Sequence, residues 1–286
     1  MKKNISLIIV LLLLGLMILT TGGCNSAREV NSNSGQIKVA VTILPQAELV
    51  NKIAGERVEV SVLVPPGVDP HTYELSPGQL KNLSETALYV RIGHIDFEKN
   101  WMDRIAGTNK DMLVIDASQS IEIINGDPHI WLSPRLAKVQ AENIAHALQE
   151  IDPEHRQDYA QCLQSVQKEL DQLDSDIAAK LSPVSGSKFL VFHPSWGYFA
   201  RDYGLEEIAI EKDGKEPTAK ELAELLSWAK NEGIKVIFAS PQHSTREAEA
   251  VAQELGGKVV IIDPLAGDYF VNLKQVADTM ATSLKK

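Results

Sequence analysis

Short apolar runs alternate with longer amphipathic segments along most of the chain. Seven runs are rich in Val and Ile and are almost continuously apolar, which is typical of strands buried on both faces of a parallel sheet. They are IKVAVTI (37–43), VEVSVLV (58–64), ALYVRI (87–92), MLVID (112–116), KFLVFH (188–193), IKVIFA (234–239) and KVVIID (258–263). The segments between them place apolar residues at helical spacing. This alternation predicts an α/β fold with largely parallel sheets.

One long segment breaks the alternation. From Pro153 to Leu181 there is no strand pattern, and the apolar residues recur every three or four positions as a narrow helical stripe. Four predicted strands precede this segment and three follow it. We therefore predict an N-terminal α/β lobe over 37–152, a linker helix over 153–182 and a C-terminal α/β lobe over 183–286.

The N-terminus has the pattern of a secretory signal. Lys2 and Lys3 precede an apolar run from Leu7 to Leu19, and small residues follow it up to Cys24. The run is too short for the roughly 20 residues that a membrane-spanning helix needs. We expect residues 1–23 to be a signal peptide that is removed from the mature protein.

Cys24 follows the small residues that close this signal, as the lipidated cysteine of a bacterial lipoprotein does. Simple cleavage near Gly23, which would release a free protein, is the alternative. The polar residues 24–36 then form a flexible tether between a lipid anchor and the fold. The remaining cysteine, Cys162, would be left without a disulfide partner within the chain. We expect an extracytoplasmic protein anchored at the outer face of a membrane.

The charge balance argues against nucleic acid as a partner. The full chain has a formal net charge of −10, and removal of the two lysines in the signal peptide makes it −12. No cluster of basic residues offsets this acidity, whereas nucleic-acid binding depends on Lys and Arg side chains that contact phosphates.

A nearly identical motif occurs twice. DPHTYELSP spans 69–77, and DPHIWLSP spans 127–134. In both copies the Ser-Pro pair precedes a helical pattern, so that serine is suited to cap the helix and proline to occupy its first position. Each copy therefore places a histidine in a loop just before a helix begins, at an edge of an α/β sheet where ligands commonly bind.

The histidines of the two motifs, His71 and His129, are candidate metal ligands. A lone loop histidine is more often a hydrogen-bonded structural residue, but two histidines in matching frames favour a shared site. Imidazole is the commonest metal ligand near neutral pH. The aspartates Asp69 and Asp127 precede proline, and we expect them to form turns.

A third histidine and one carboxylate complete the candidate site. His193 ends the predicted strand KFLVFH, and Asp268 lies in DPLAGDYFVNL after the predicted strand KVVIID. Two ligands from each lobe would then converge in the cleft between the lobes. Three imidazoles and one carboxylate form a four-coordinate site suited to zinc.

The chain resembles the metal-specific solute-binding lipoproteins of bacterial ABC importers, the zinc and manganese group. The resemblance lies in DPHTYELSP, DPHIWLSP, FHPSWGYFARDYGL and GDYFVNL, and it covers almost the whole mature chain. It implies two Rossmann-like α/β lobes joined by one rigid backbone helix, with the metal bound between the lobes by His71, His129, His193 and Asp268. It also implies a monomer that delivers its metal to the membrane permease of an ABC importer.

The identity of the metal stays open between zinc and manganese. In the family, the third ligand is often histidine in zinc-type members and glutamate in manganese-type members, and this chain has His193, which favours zinc. Many zinc-type members carry a long histidine- and acid-rich loop before the second Asp-Pro-His. Here that stretch is only ASQSIEIING (117–126), without a histidine. Members with a short loop occur in both groups.

The remaining candidate side chains are expected to have ordinary structural roles. His94 follows a strand and could face the cleft, whereas His243 is expected to belong to the start of a helix. Trp131 and Trp196 flank two of the candidate ligands and are expected to pack and seal the site. The charged run EKDGKEP (211–217) is expected to form a solvated loop.

Two other functions compete with a metal carrier. A secreted zinc hydrolase needs an open coordination position and a general base, but the sequence contains neither HExxH nor Gly-x-Ser-x-Gly. A surface adhesin that holds zinc for structural reasons would unfold when the metal is removed. A carrier must instead remain folded when it is empty.

Overall fold

The computed structural model describes residues 35–211, 214–215 and 217–285. The predicted signal peptide, the proposed lipidation site Cys24 and all but the last two residues of the predicted tether lie outside this part of the chain. Within it, no helix combines the length and the apolar character needed to cross a bilayer.

Eight strands form two four-stranded sheets in which every neighbouring pair is parallel. The strand order is β2-β1-β3-β4 in the first sheet and β6-β5-β7-β8 in the second. The strands are β1 (Ile37–Val41), β2 (Val58–Val62), β3 (Leu88–Arg91), β4 (Leu113–Asp116), β5 (Lys188–Val191), β6 (Glu206–Ala209), β7 (Val236–Ala239) and β8 (Lys258–Ile261). All seven predicted strands are present, and the predicted α/β fold with parallel sheets is confirmed.

Strand β6 is the one strand of the described chain that the sequence pattern did not predict. Its sequence, EEIA, lacks a continuous apolar run. It lies at the edge of the second sheet, next to β5. An edge strand has only one neighbour and tolerates charged residues, so its sequence carries a weaker signal.

The helices cover the sheets and connect successive strands. They are α1 (Leu44–Ala54), α2 (Pro77–Leu83), α3 (Asp96–Thr108), α4 (Pro134–Ile151), α5 (Arg156–Leu181), α6 (Gly197–Asp202), α7 (Ala219–Asn231), α8 (Arg246–Glu254) and α9 (Tyr269–Ser283). Each sheet has the same order of strands, with a reversal between its two central strands. In such sheets, ligands bind outside the carboxyl ends of the strands near this reversal.

Helix α5 joins the two lobes, as predicted. Short 3-10 turns, Pro153–His155 and Ser182–Val184, flank it at both ends. Its buried stripe contains Tyr159, Val166, Leu170, Leu173, Ile177 and Leu181. The helix packs against α1 and α4, which flank the first sheet, and against the C-terminal helix α9. One continuous hydrophobic core includes this stripe and buried residues of both sheets.

Hydrogen bonds also tie the loop of the second Asp-Pro-His motif to the C-terminal lobe. The Tyr198 hydroxyl donates to the carbonyl of Asp127 at 3.1 Å. The indole Nε1 of Trp131 donates to the carbonyl of Pro264 at 2.7 Å, and the Tyr269 hydroxyl donates to the carbonyl of Trp131 at 2.7 Å. The loop that carries His129 is therefore held by both lobes.

Candidate metal centre

The two Asp-Pro-His motifs end in capped helices, as their sequences predict. Ser76 Oγ accepts a hydrogen bond from the backbone N–H of Gln79 at 3.3 Å at the start of α2. Ser133 Oγ accepts from the backbone N–H of Leu136 at 3.2 Å at the start of α4. In both helices proline is the first residue. These caps fix the point at which each loop ends.

The aspartates of the two motifs form equivalent turns. Asp69 Oδ1 accepts from the backbone N–H of His71 at 2.8 Å, and Asp127 Oδ1 accepts from that of His129 at 2.9 Å. The predicted role of both residues as turn formers is confirmed. Each turn holds the backbone of its histidine in place before the helix begins.

The imidazoles of His71, His129 and His193 form a compact triangle. Their ring centroids are 5.7 Å apart for His71 and His129, 5.2 Å for His71 and His193, and 5.6 Å for His129 and His193. One donor atom from each ring lies within 4.8 Å of the other two. Ligands about 2.0–2.1 Å from a tetrahedral zinc lie roughly 3.3 Å apart, so a small contraction would bring all three donors to one ion.

Each imidazole of this triangle directs Nδ1 to a carboxylate. His129 Nδ1 is 2.6 Å from Asp127 Oδ1, and His193 Nδ1 is 2.9 Å from Glu211 Oε2. The corresponding distance from His71 Nδ1 to Asp96 Oδ2 is longer, 3.4 Å. A carboxylate that accepts the Nδ1 proton leaves Nε2 as the lone-pair donor and increases its basicity, which is the usual arrangement of histidines that bind metals.

The Nε2 atoms of His71 and His193 are buried and have no hydrogen-bond partner. Within the described residues only six buried side-chain polar atoms lack a partner, and a third one, Gln242 Oε1, also belongs to a residue that lines this cavity. An unpartnered buried polar atom is costly, and several around one cavity point to a ligand that completes them. The residues present therefore fit a bound cation.

Burial and the proximity of other imidazoles lower the pKa values of His71 and His193. The pKa of His193 is lowered to about 2, because the ring is buried and because other imidazoles lie close to it. The pKa of His71 is also lowered, again because of burial and then because of the neighbouring His129. A metal ligand must be a neutral imidazole, so these two rings are in their binding form at neutral pH.

The lowered pKa of His193 predicts a specific pH dependence of apo-protein stability. An unfolded histidine has a pKa near 6.5. Below that pH, the unfolded chain binds a proton at this residue, whereas folded His193 stays neutral. The free energy of unfolding therefore decreases as the pH falls. Burial raises the pKa values of Glu98 and Glu207 to about 7. These two carboxyl groups therefore increase the free energy of unfolding as the pH falls, opposite to the effect of His193. The histidine contribution must therefore be measured as a difference between variants.

We expect His193→Asn to reduce the loss of stability at acidic pH. When the pH is lowered from 7.5 to 5.5, the free energy of unfolding of the parent apo protein should decrease by about 1.4 kcal/mol more than that of the variant. Urea unfolding of both proteins at the two pH values measures this difference. Equal changes in the two proteins would show that His193 is not held neutral by the fold.

Asp268 is not brought to the triangle of histidines. It is exposed and directly precedes α9, where its carbonyl accepts from the backbone N–H of Asn272 at 2.8 Å. A Cβ atom on the adjacent Gly267 would lie 3.7 Å from the side chain of Leu44, and the charge of Asp268 contributes to raising the pKa of Glu48. The chain has thus left the cavity and reached α1 before Asp268. We do not include Asp268 in the candidate ligand set.

Asp263 lies closer to the cavity than Asp268 and was missed in the sequence. It follows the end of β8, and the next two residues, Pro264 and Leu265, line the cavity. Asp263 Oδ1 accepts from Gln242 Nε2 and from the backbone N–H of Leu265, both at 2.8 Å. Its position at the carboxyl end of a strand was the signal that could have identified it.

Two glutamates that support His193 were also missed. Glu211 was assigned to a solvated loop, yet its side chain is only 14% exposed and accepts from His193. Glu207 lies in the unpredicted strand β6, and its Oε1 accepts from the backbone N–H groups of Ser195 and Trp196 at 3.1 and 2.8 Å. These contacts fix the loop that follows His193. No local sequence pattern announces them.

Two further histidines differ in their relation to the cavity. His243 lines it, whereas the sequence placed this residue only at the start of a helix. His94 is not among the lining residues. Trp131 and Trp196 are buried beside the candidate ligands, and the ring of Trp131 lies 5.2 Å from that of His129. Their expected packing role is consistent with this burial.

The contact between the Asp127 carboxylate and His129 Nδ1 is expected to increase the affinity for the metal. Asp127→Asn retains the Oδ1 acceptor of the turn but loses the negative charge that supports His129, and we expect zinc affinity to fall about 10- to 100-fold. Asp69→Asn is the matched control, because Asp69 forms the same turn without contacting Nδ1 of its histidine. Competition with a chromophoric chelator measures both variants. Equal effects would show that only the turn matters.

Comparisons with known proteins find a matching family and similar proteins. A family model described as "Zinc-uptake complex component A periplasmic" matches residues 39–283. The chain is 25% identical over 305 residues to the "High-affinity zinc uptake system protein ZnuA" of Bacillus subtilis (strain 168), with 94% of each protein covered. It is 31% identical to a "Putative metal-binding protein" of Chlamydia trachomatis, which covers 94% of this chain and 99% of that protein.

The fold also matches solved structures. The crystal structure of a ZnuA deletion mutant with zinc bound superposes with a TM-score of 0.85 at 44% sequence identity, covering 88% of this chain and 99% of that one. The family model extends over both lobes and the helix between them. The chain therefore belongs to the ZnuA/TroA family of solute-binding proteins of metal ABC importers.

Proposed function

We propose that this protein binds one zinc ion between its lobes, outside the cytoplasm, and delivers it to the permease of an ABC importer. The observation that carries the proposal is the triangle of His71, His129 and His193, in which each Nδ1 faces a carboxylate and two Nε2 atoms are buried without a partner. These three Nε2 atoms are the proposed ligands. The zinc-uptake relatives support the same cargo.

The donor set favours zinc over manganese. Three neutral imidazoles form a nitrogen-rich site, whereas manganese prefers carboxylate, carbonyl and water ligands. The ordinary order of affinities for a given site also places zinc above manganese. Manganese transport is therefore the second candidate, and it would require oxygen ligands in addition to this triangle.

Metal retention under competition tests this proposal. Protein without the signal peptide, freed of metal and mixed with equimolar zinc and manganese, should retain one zinc per chain after gel filtration. Elemental analysis measures both metals in the same sample. Retention of manganese in preference to zinc would overturn the assignment.

We also propose that the protein is a carrier rather than a zinc hydrolase or an adhesin with structural zinc. The family is a substrate-binding component of transport systems. The continuous core through α5 supports a fold that persists without metal. Chelator-sensitive turnover of esters, phosphoesters or peptides would favour a hydrolase, and unfolding on removal of zinc would favour structural zinc.

The sequence of the leader supports a proposal on the cellular arrangement. We propose that Cys24 is lipidated, that the tether 24–36 holds the protein at the outer face of the membrane, and that the protein acts as a monomer. Cys24→Ala should then move the protein from the membrane fraction to the soluble fraction. An unchanged distribution would contradict the anchor without affecting the metal site.

A further inference from the structure

A fourth histidine lies at the same cavity as the triangle. His243 is in the loop between β7 and α8, in the C-terminal lobe, and it lines the cavity together with the three candidate ligands. Its ring centroid is 4.6 Å from that of His193, and the two rings are inclined by only 30°. His243 is thus stacked against a proposed ligand at the wall of the cavity.

His243 differs from the other three histidines in how it is held. Each of those has a carboxylate at Nδ1. Among the described residues, no hydrogen bond or ion pair to the ring nitrogens of His243 is found, and its backbone N–H bonds to the carbonyl of Ser240 at the long distance of 3.4 Å. Among the described residues, the ring is thus held by the stack on His193 and by no carboxylate.

The triangle alone supplies three of the four bonds that zinc normally forms in proteins. Asp268 lies elsewhere, and the uncharged polar side chains at the cavity belong to Ser195, Ser240 and Gln242. The carboxylate of Asp69 also lines the cavity, but its Oδ1 accepts from the backbone N–H of His71 and its Oδ2 from the Thr72 hydroxyl. Hydroxyl and amide groups are weaker zinc ligands than imidazole, so among the described residues His243 is the strongest donor at the cavity wall that is not already engaged.

We propose that His243 supplies the fourth bond to the bound zinc ion, giving a site of four imidazoles. This inference rests on the proposed function. His243 does not belong to the group of donors within 4.8 Å of one another. Its ring must therefore leave the stack on His193, by rotation of the side chain and a shift of the loop between Ala239 and Arg246, when the ion arrives. Because no carboxylate holds it, the same bond is the first to break on release.

Substitution by phenylalanine separates metal binding from stacking. His243→Phe keeps an aromatic ring against His193 but removes both nitrogens, so a purely structural role of the stack would be preserved. His243→Gln is the second variant, in case the phenyl ring disturbs folding. His94→Phe is the matched control, because His94 also lies in a loop after a strand but does not line the cavity.

Two readouts test the proposal. X-ray absorption at the zinc edge should detect four imidazole ligands in the parent and in His94→Phe, but three imidazoles and one oxygen ligand in His243→Phe and His243→Gln. Chelator competition should show a loss of zinc affinity of about 10- to 100-fold in both His243 variants. The oxygen ligand would be water, for which Gln242 Oε1 is an available acceptor.

The possible failures are distinguishable. Three imidazoles and one oxygen in the parent, with unchanged affinity in His243→Phe, would overturn the role of His243 and leave the proposed zinc carrier intact. A parent protein that retains no zinc at all would overturn both proposals.

Discussion

Replacing His193 by alanine is expected to abolish tight zinc binding, with a loss in affinity of more than about 100-fold. Removal of a group that only supports a ligand already costs roughly 10- to 100-fold, and His193→Ala removes a bond to the ion itself. It also removes the imidazole that Glu211 contacts. Chelator competition or calorimetry at pH 7.5 measures the loss. His71→Ala and His129→Ala should behave alike.

Two variants serve as controls for this prediction. His94→Ala and Asp268→Ala should leave zinc affinity close to that of the parent, because neither residue lines the cavity. A large loss in Asp268→Ala together with normal binding by His193→Ala would show that the proposed ligand set is wrong.

Trp131→Ala is expected to lower the free energy of unfolding by about 3–5 kcal/mol, the usual cost of truncating a large buried aromatic residue. Trp131 is 1% exposed, its indole donates to the carbonyl of Pro264, and its own carbonyl accepts from Tyr269. The residue therefore joins the His129 loop to the segment after β8. We expect zinc affinity to fall as well, since the ring of Trp131 supports that of His129.

Urea unfolding of the apo protein measures the effect of Trp131→Ala on stability. Trp101→Ala is the control, because Trp101 is only partly buried and contacts Arg104 at the surface of α3. Trp131→Phe keeps most of the packing and removes the hydrogen bond to Pro264, so it should cost only about 1–3 kcal/mol. Equal losses in Trp131→Ala and Trp101→Ala would contradict a special role for Trp131.

Most of the fold could be predicted because its elements carry strong local patterns. Strands buried on both faces need continuous apolar runs, and α5 needs a stripe along its whole length to pack against α1, α4 and α9. The Ser-Pro pairs specify where α2 and α4 begin. Strand β6 carries no such pattern, because an edge strand can contain charged residues.

The candidate site was only partly predictable, because its contacts join distant segments. His71 and His129 stand out through their repeated motif, and His193 through its place at a strand end. Glu211 reaches His193 from 18 residues away, and its acidic neighbours gave it the appearance of a surface residue. His243 reaches the cavity only because its loop follows the central strand β7.

The two aspartates that follow β8 also show that tertiary contacts cannot be predicted from a local sequence pattern. Both Asp263 and Asp268 follow β8 in the sequence, and either could have faced the cleft. The turn formed by Asp263 and the approach of the chain to Leu44 and Glu48 decide between them. The turn is local, but the approach to Leu44 and Glu48 is a tertiary contact with α1, which no pattern within the segment encodes.

Anomalous diffraction from crystals of the zinc-loaded protein, recorded at the zinc absorption edge, locates the bound ion. We expect one strong peak per chain, about 2.0–2.1 Å from the Nε2 atoms of His71, His129 and His193. A peak bound elsewhere, for example at Asp268 without these histidines, or the lack of any peak in protein that carries stoichiometric zinc, would contradict it.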